Sequence, residues 1–342
     1  MNRIFWGRLL QELECGNSVQ LLTVLAGQQG SRDITSQKLL RTTEGDFPSD
    51  PSLAEFWGRI PFGEMDFPTL WKWGGVEFFC EKLSAHPQLI LCGGGHISLP
   101  LAQIASLLDF EVTVLDDRPE FANSQRFPQA YRTICAPFDQ ALEQVPHTDS
   151  SYFVVVTRGH QYDRTCLERI LQRPFAYLGM IGSRKKVQMV MEELRQLGFP
   201  EDQLGRVHAP IGLPIGGQTP GEIAVSIAAQ LVQIRHGASQ GSLDLEGLRH
   251  LIQGEPMVLA TILEKQGSAP RGPGAKMLIS PSGELYGTIG GGSCEAATVA
   301  LAPEVLSTGH AQVRTFRMDG SSPQDAGMIC GGTVRVLLDP LK

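Results

Sequence analysis

Leu89-Ile-Leu-Cys-Gly-Gly-Gly-His-Ile-Ser98 is the stretch on which the fold turns. Leu89 to Cys92 reads as a short apolar strand, the glycines as a turn, and Leu99 to about Leu108 as a helix. Glu111 to Leu115 is the next strand, ending at Asp116-Asp117-Arg118. Strand, glycine turn, helix and strand, with an acid roughly 20 residues on, is the dinucleotide-binding pattern. Its first glycine makes the turn and its second lets backbone approach a pyrophosphate. Gly93 and Gly95 fill those positions, Ser98 replaces the third glycine, and His96 lies between them. Asp116 is read as the ribose acceptor if a nucleotide sits on the turn, and otherwise as a local cap or a partner of Arg118.

Further along, Tyr152 to Thr157 (Y-F-V-V-V-T) is an uninterrupted apolar strand of the kind buried in parallel sheets. It delivers Arg158, His160 and Asp163 to the strand's C-terminal end, where open α/β sheets bind ligands. These three form either a polar site or a setting for a hydrogen-bonded structural histidine. Phe175 to Met180 is another strand. Gly182-Ser183-Arg184-Lys185-Lys186 then starts a helix, read as an anion site through Ser183 and Arg184 or as a solvated helix start.

The flanks of this α/β segment repeat one another. Thr261-Ile-Leu-Glu-Lys-Gln-Gly-Ser268 matches Thr23-Val-Leu-Ala-Gly-Gln-Gln-Gly-Ser31 with one residue removed. Lys276-Met-Leu followed by Gly283 matches Lys38-Leu-Leu followed by Gly45. Gly331-Gly332 and Val334 to Leu341 match Gly74-Gly75 and Val76 to Leu83. The first copy lacks the segment Gly290-Gly-Gly-Ser-Cys-Glu295, and Trp73 stands where the second copy has Cys330. The first is therefore read as degenerate and the second as the chemical copy.

That segment follows Gly287-Thr-Ile and feeds the run Ala296 to Leu306, read as a helix with Pro303 as the point where it would shorten. Gly290, Gly291 and Gly292 bring backbone N–H groups to a helix N-terminus, a natural anion site. Arg271 and Lys276 are the basic residues chosen as phosphate partners, with Ser293 in the loop itself. A cysteine at such a terminus is expected to have a lowered thiol pKa. Cys294 and Cys330 are therefore the candidate nucleophiles or soft metal ligands, against the alternative of small buried apolar residues.

With 342 residues the chain has room for two or three domains. Its net charge of −7 argues against sequence-independent nucleic-acid binding, which needs a basic face. The seven cysteines contain no C-x-x-C pair, so a zinc ribbon or disulfide framework has little support. No apolar run approaches the 18 residues of a membrane span. Arg3, Arg8, Glu12 and Glu14 make the N-terminus an amphipathic helix rather than a secretory signal, so a cytoplasmic setting is expected.

Taken together, these motifs resemble the XdhC/CoxI accessory proteins of molybdenum hydroxylases such as xanthine dehydrogenase. The resemblance rests on G-G-G-H-I-S, D-D-R, T-R-G-H-Q-Y-D, G-M-I-G-S-R-K-K and the segment Pro210 to Ile227. It continues in Q-G-S-A-P-R-G-P-G-A-K-M, G-T-I-G-G-G-S-C-E and M-I-C-G-G. It implies a protein that binds the molybdenum cofactor (molybdopterin), assists its sulfuration and inserts it into the apo-hydroxylase. Cys294 and Cys330 would touch sulfur or molybdenum. A cysteine desulfurase and a second copy of the chain, as a homodimer, are the further partners it suggests. Family members place cysteine directly after the glycine run; here Ser293 holds that place and Cys294 follows. Their cofactor-handling domain also precedes the Rossmann-like domain, whereas the intact copy here comes last.

The expected fold class is α/β, a Rossmann-like parallel-sheet middle domain (87–238) flanked by two related smaller α+β domains (1–86 and 246–342). Residues 237–247 form the linker. Two other functions compete: an NAD(P)-dependent oxidoreductase using the Rossmann unit, and a non-catalytic docking protein in which both cysteines are dispensable.

Overall fold

The computed structural model describes residues 3–63, 65–237, 243–317 and 332–341. The chain forms two compact units, one of residues 85–238 and one built from both ends, 1–84 with 239–342.

The unit made from the two ends contains two antiparallel five-stranded sheets. After helix α1 (Arg3–Glu14), the first sheet takes β1 (Val19–Ala26), β2 (Lys38–Thr42), β3 (Gly45–Pro48), β4 (Thr69–Trp73) and β5 (Val76–Leu83). Its spatial order is β3-β2-β1-β5-β4. Consecutive buried residues in β1 (Leu21 to Leu25) and β5 (Phe78 to Glu81) bury both faces of these central strands. The edge strand β3 carries the turn residues of G-D-F-P, and the edge strand β4 is only partly buried.

The middle unit supplies β6 (Gln88–Cys92), β7 (Glu111–Asp116), β8 (Arg132–Cys135), β9 (Ser151–Val155), β10 (Tyr177–Met180) and β11 (Val207–His208). All neighbouring pairs are parallel. The order β8-β7-β6-β9-β10-β11 reverses direction between β6 and β9. Helices α2 (Ser98–Leu107), α3 (His160–Leu171), α4 (Arg184–Gln196) and α5 (Pro220–Gly237) follow the strands. Two apolar layers cover the sheet: Cys166, Leu167, Val190 and Leu194 on one face, Leu101, Ala105, Ile227 and Leu231 on the other. Burial on both faces explains why β6 and β9 read as unbroken apolar runs.

Past α6 (Leu245–Gln253), the second antiparallel sheet uses β12 (Met257–Gln266), β13 (Lys276–Ile279), β14 (Leu285–Gly287), β15 (Gln312–Arg317) and β16 (Thr333–Leu341), in the order β14-β13-β12-β16-β15. This is the first sheet's order, strand for strand. Both central strands carry a register irregularity at the same place, between Val24 and Ala26 and between Ile262 and Glu264. Leu25 and Phe79 of the first sheet meet Leu263 and Leu337 of the second. Helix α7 (Gly292–Thr308) covers the second sheet's other face through Cys294, Ala302 and Val305. It continues through Pro303, which forfeits one N–H bond but does not end the helix.

Where the two sheets face each other, two lysines are buried, each ion-paired with an acid of the other sheet. Lys38 pairs with Asp339 and Lys276 with Glu81, all with side chains less than 5% exposed. Lys38 and Lys276 sit opposite Thr23 and Thr261 in equivalent registers. Burial raises Glu81 and lowers Lys276, each offset by the other's charge. Lys276 is therefore no phosphate ligand: its ammonium is spent inside the unit.

Candidate functional site

In the middle unit every motif singled out from the sequence arrives at one edge of the parallel sheet. The loops after β6 (Gly93, Gly95, His96), β7 (Asp116 to Arg118), β9 (Arg158, His160) and β10 (Ser183, Arg184) all leave the C-terminal strand ends. The crevice outside the strand ends where the order reverses is the ligand position of doubly wound sheets.

The three glycines of the turn differ in what surrounds them. Gly93 has φ +116°, and a Cβ there would lie 2.6 Å from the Val156 carbonyl oxygen, so the loops after β6 and β9 touch. At Gly94 a Cβ would lie 2.0 Å from the Phe121 carbonyl oxygen. Gly95 faces open space, with nothing within 4 Å of a Cβ position. It is the second glycine of the motif, the one that lets a ligand come close to backbone. Ser98, in place of the third glycine, is fully buried and donates its hydroxyl to the Gly93 carbonyl, tying helix α2 to the turn.

Asp116 does not wait for a ribose. Its Oδ2 accepts from the Gly94 N–H at 2.9 Å and from Arg118 Nη2 at 3.1 Å. Its Oδ1 accepts from the Arg118 N–H at 3.1 Å and from Arg118 Nε at 2.9 Å. Burial works to raise its pKa, but these donors outweigh burial and the carboxyl is held below its ordinary value. The guanidinium of Arg118 lies 3.7 Å over the Phe121 ring, and Arg126, which donates to the Gly94 carbonyl at 3.0 Å, lies over the same ring at 5.0 Å. Arg158 bridges Asp117 at 2.7 Å and the Tyr162 hydroxyl at 2.8 Å.

His160 and Asp163 do not form a joint site. His160 is exposed in the first turn of α3. Asp163 is fully buried, accepts from the Thr157 hydroxyl at 2.7 Å and pairs with Lys186, and burial raises its pKa in spite of both partners. Ser183 caps α4 by accepting the Lys186 N–H, leaving Arg184 and Lys185 exposed beside it. The residues that sequence reasoning missed are Arg126 and Phe121, which lie in an irregular stretch with no strand or helix period to mark them.

The C-terminal glycine loop is built differently. Gly290, Gly291 and Gly292 all have positive φ, as the sequence requires of a tight loop entering α7. Its amides, however, hold the chain's own carboxylate. Glu295 Oε2 accepts from Ile289 N–H and Gly291 N–H at 3.1 Å each, and from the Thr288 hydroxyl at 2.6 Å. Gly290 N–H is taken by the Thr288 hydroxyl at 2.9 Å. Arg271 is exposed and lies against Gly290, 3.4 Å from where a Cβ would be. Ser293 is half-buried in the first turn of α7.

Cys294 is 6% exposed among Ile262, Met277 and Ala302. Burial pushes its thiol up to about 11, with the neighbouring Glu295 adding to the rise and Thr298 opposing it. The expected lowering at a helix terminus is overturned because desolvation and a nearby carboxylate outweigh the helix dipole. Cys330 lies outside the described residues. Among the described residues no group of three or more His, Cys, Asp or Glu side chains is arranged to hold a metal ion. Among them, too, no helix is long and apolar enough to cross a membrane.

Six parallel strands with their order reversed beside a glycine turn define a Rossmann-type unit, and comparison with known proteins agrees. Residues 89–231 match the XdhC Rossmann domain and residues 250–319 match the XdhC and CoxI family. The chain belongs to the XdhC/CoxI family. It is 31% identical over 160 residues to a probable xanthine dehydrogenase subunit of Bacillus subtilis (strain 168), covering 47% of this chain and 46% of that protein. To the molybdenum cofactor insertion chaperone PaoD of Escherichia coli (strain K12) it is 34% identical over 93 residues, 27% of this chain and 29% of PaoD. The chain thus spans less than half the length of these curated relatives. A crystal structure of a xanthine dehydrogenase from Bacillus halodurans superposes with a TM-score of 0.50 and 24% identity, over 67% of this chain and 66% of that one, a likeness of fold.

Proposed function

We propose that this protein is an accessory factor for a molybdenum hydroxylase such as xanthine dehydrogenase, binding the molybdenum cofactor and assisting its sulfuration and insertion into the apo-enzyme. The observation that carries this reading is family membership across both the parallel-sheet unit and the glycine-loop module, with an insertion chaperone among the relatives. The two loops fit a phosphate-bearing cofactor unequally. At the C-terminal loop the amides of Ile289 and Gly291 are engaged by Glu295, and Lys276 is buried, so a phosphate does not fit there with Glu295 in place. At the parallel-sheet edge, Gly95 is open and basic side chains surround the turn, which suits an anionic tail. When bound, the cofactor would supply the molybdenum centre of the recipient enzyme; this chain's part is to hold its tail and shield it from water.

Sulfuration is assigned to Cys294 and Cys330, with a cysteine desulfurase as sulfur source and a homodimer as the working assembly. For Cys294 to accept sulfur its thiol must first give up its proton, because the thiolate is the nucleophile, and burial opposes that loss. The test is reconstitution: purified chain loaded with molybdenum cofactor is mixed with apo-hydroxylase, and the recovered hydroxylase activity is measured. Faster and fuller recovery than with free cofactor is expected. No gain over free cofactor sinks the insertion role, and full gain with both Cys294→Ala and Cys330→Ala sinks the sulfur role.

A further inference from the structure

We infer that the glycine-turn crevice of the parallel-sheet unit selects a phosphomonoester rather than a bare ribose diol, and that Arg118 is the residue that selects it. A carboxylate offers about four acceptor positions, two on each oxygen. Asp116 uses all four: Gly94 N–H and Arg118 Nη2 on Oδ2, Arg118 N–H and Nε on Oδ1. It is 1% exposed. Asp116 occupies the position from which a dinucleotide-binding acid would accept the ribose hydroxyls, yet it has nothing left to accept with.

What stands at that strand end instead is a guanidinium. Arg118 is 27% exposed and is fixed from two sides, by Asp116 and by the Phe121 ring 3.7 Å away. Two of its five side-chain N–H groups serve Asp116, which leaves the others for an anion. Arg126 stacks on the same Phe121 ring and Arg158 reaches the crevice from the loop after β9. Asp117 and the exposed Glu120 are the further opposing charges, and Arg158 holds Asp117 at 2.7 Å. Three guanidiniums thus face three carboxylates, so selection comes from the donors left free rather than from excess charge. A planar guanidinium already fixed in place loses little freedom on gripping phosphate oxygens, and its charge-assisted bonds are the strong ones. The open Gly95, next to the start of α2, completes a path for the rest of the ligand.

A phosphomonoester of this kind has two sources: the 2′-phosphate of NADP, or the terminal phosphate of molybdopterin. The selection rests on the reading of the crevice as a ligand site and not on insertion, because binding by the chain alone is its readout. Calorimetric titrations of the full-length protein with NADP, with NAD and with anaerobically released molybdopterin separate the possibilities. At least one phosphomonoester ligand is expected to bind, NADP or molybdopterin, with NAD weaker by roughly tenfold or more, the range of a charge-assisted pair. Arg118→Gln is expected to erase that difference and Arg118→Lys to keep part of it, both checked for an unchanged circular dichroism spectrum. NAD binding as tightly as NADP overturns the inference. So does a folded Arg118→Gln protein with undiminished phosphomonoester binding, or the failure of both phosphomonoester ligands to bind wild-type protein. If Arg118→Gln does not fold, the NADP-to-NAD ratio of the wild type and the Arg118→Lys titration decide the matter alone.

Discussion

Two glycine-rich loops in this chain lead into helices, Gly93 to Gly95 into α2 and Gly290 to Gly292 into α7, and they have opposite relations to a ligand. In each, a carboxylate accepts from a loop amide: Asp116 from Gly94, Glu295 from Ile289 and Gly291. The difference lies in where the carboxylate comes from. Asp116 reaches across from the neighbouring strand and takes the middle glycine, leaving Gly95 open. Glu295 belongs to the first turn of the helix itself and folds back over the loop, where an anion would sit. A glycine run before a helix is thus only half of an anion site; the other half is the absence of a resident acid in front of it.

The largest effect that would test this comparison concerns Lys276, chosen from sequence as a phosphate partner of the second loop. Lys276→Met should destabilise the protein by about 3–5 kcal/mol in urea unfolding, because it strands a buried Glu81, while the double variant with Glu81→Met should recover most of that loss. A small effect of the single variant would mean the pair is solvated. Next, Gly94→Ala should cost about 1–3 kcal/mol, since its Cβ would meet the Phe121 carbonyl oxygen. Gly95→Ala should stay within about 0.5 kcal/mol of wild type in the same experiment. Equal losses at the two positions would remove the claim that one glycine is structural and the other open.

Glu295→Gln should cost about 1 kcal/mol, because the amide oxygen still accepts but the charge at the helix start is gone. If Glu295 is what closes the loop, this variant should also bind inorganic phosphate measurably more tightly than wild type, and an unchanged affinity would separate capping from closure. The smallest effect concerns Cys294. Its thiol, raised from 9.0 to about 11, should be alkylated by iodoacetamide far more slowly at pH 7.5 than the exposed Cys15 and Cys135. A thiol raised in the folded state favours the protonated native form. That contribution is complete below pH 9 and falls away as the pH rises toward 11. Rapid alkylation of Cys294 at pH 7.5 would restore the thiolate reading.

Much of the parallel-sheet unit was legible because its strands are buried on both faces and announce themselves as apolar runs ending in glycine or charge. Even the clustering of Gly95, Asp116, Arg158 and Ser183 at one edge follows from their shared place just beyond strand ends. The edge strands Thr69–Trp73 and Arg132–Cys135 were not legible, since a strand paired on one side needs no strong pattern. The internal repeat showed in Lys38 and Lys276, yet nothing in the sequence said that each lysine would bond the other sheet's acid.

By itself, then, the sequence determined the local grammar: which runs are strands, which glycines turn the chain, and which segments echo one another, because periodicity and φ preference act within a few residues. Partnership was decided only in three dimensions. Whether Asp116 is free or filled depends on Gly94 as well as on the nearby Arg118. Whether Cys294 is a thiolate or a buried thiol depends on the apolar residues packed around it, and whether Lys276 meets a ligand or Glu81 depends on a group in the other sheet. Burial and hydrogen bonding are properties of that assembled neighbourhood, and they set charge and availability.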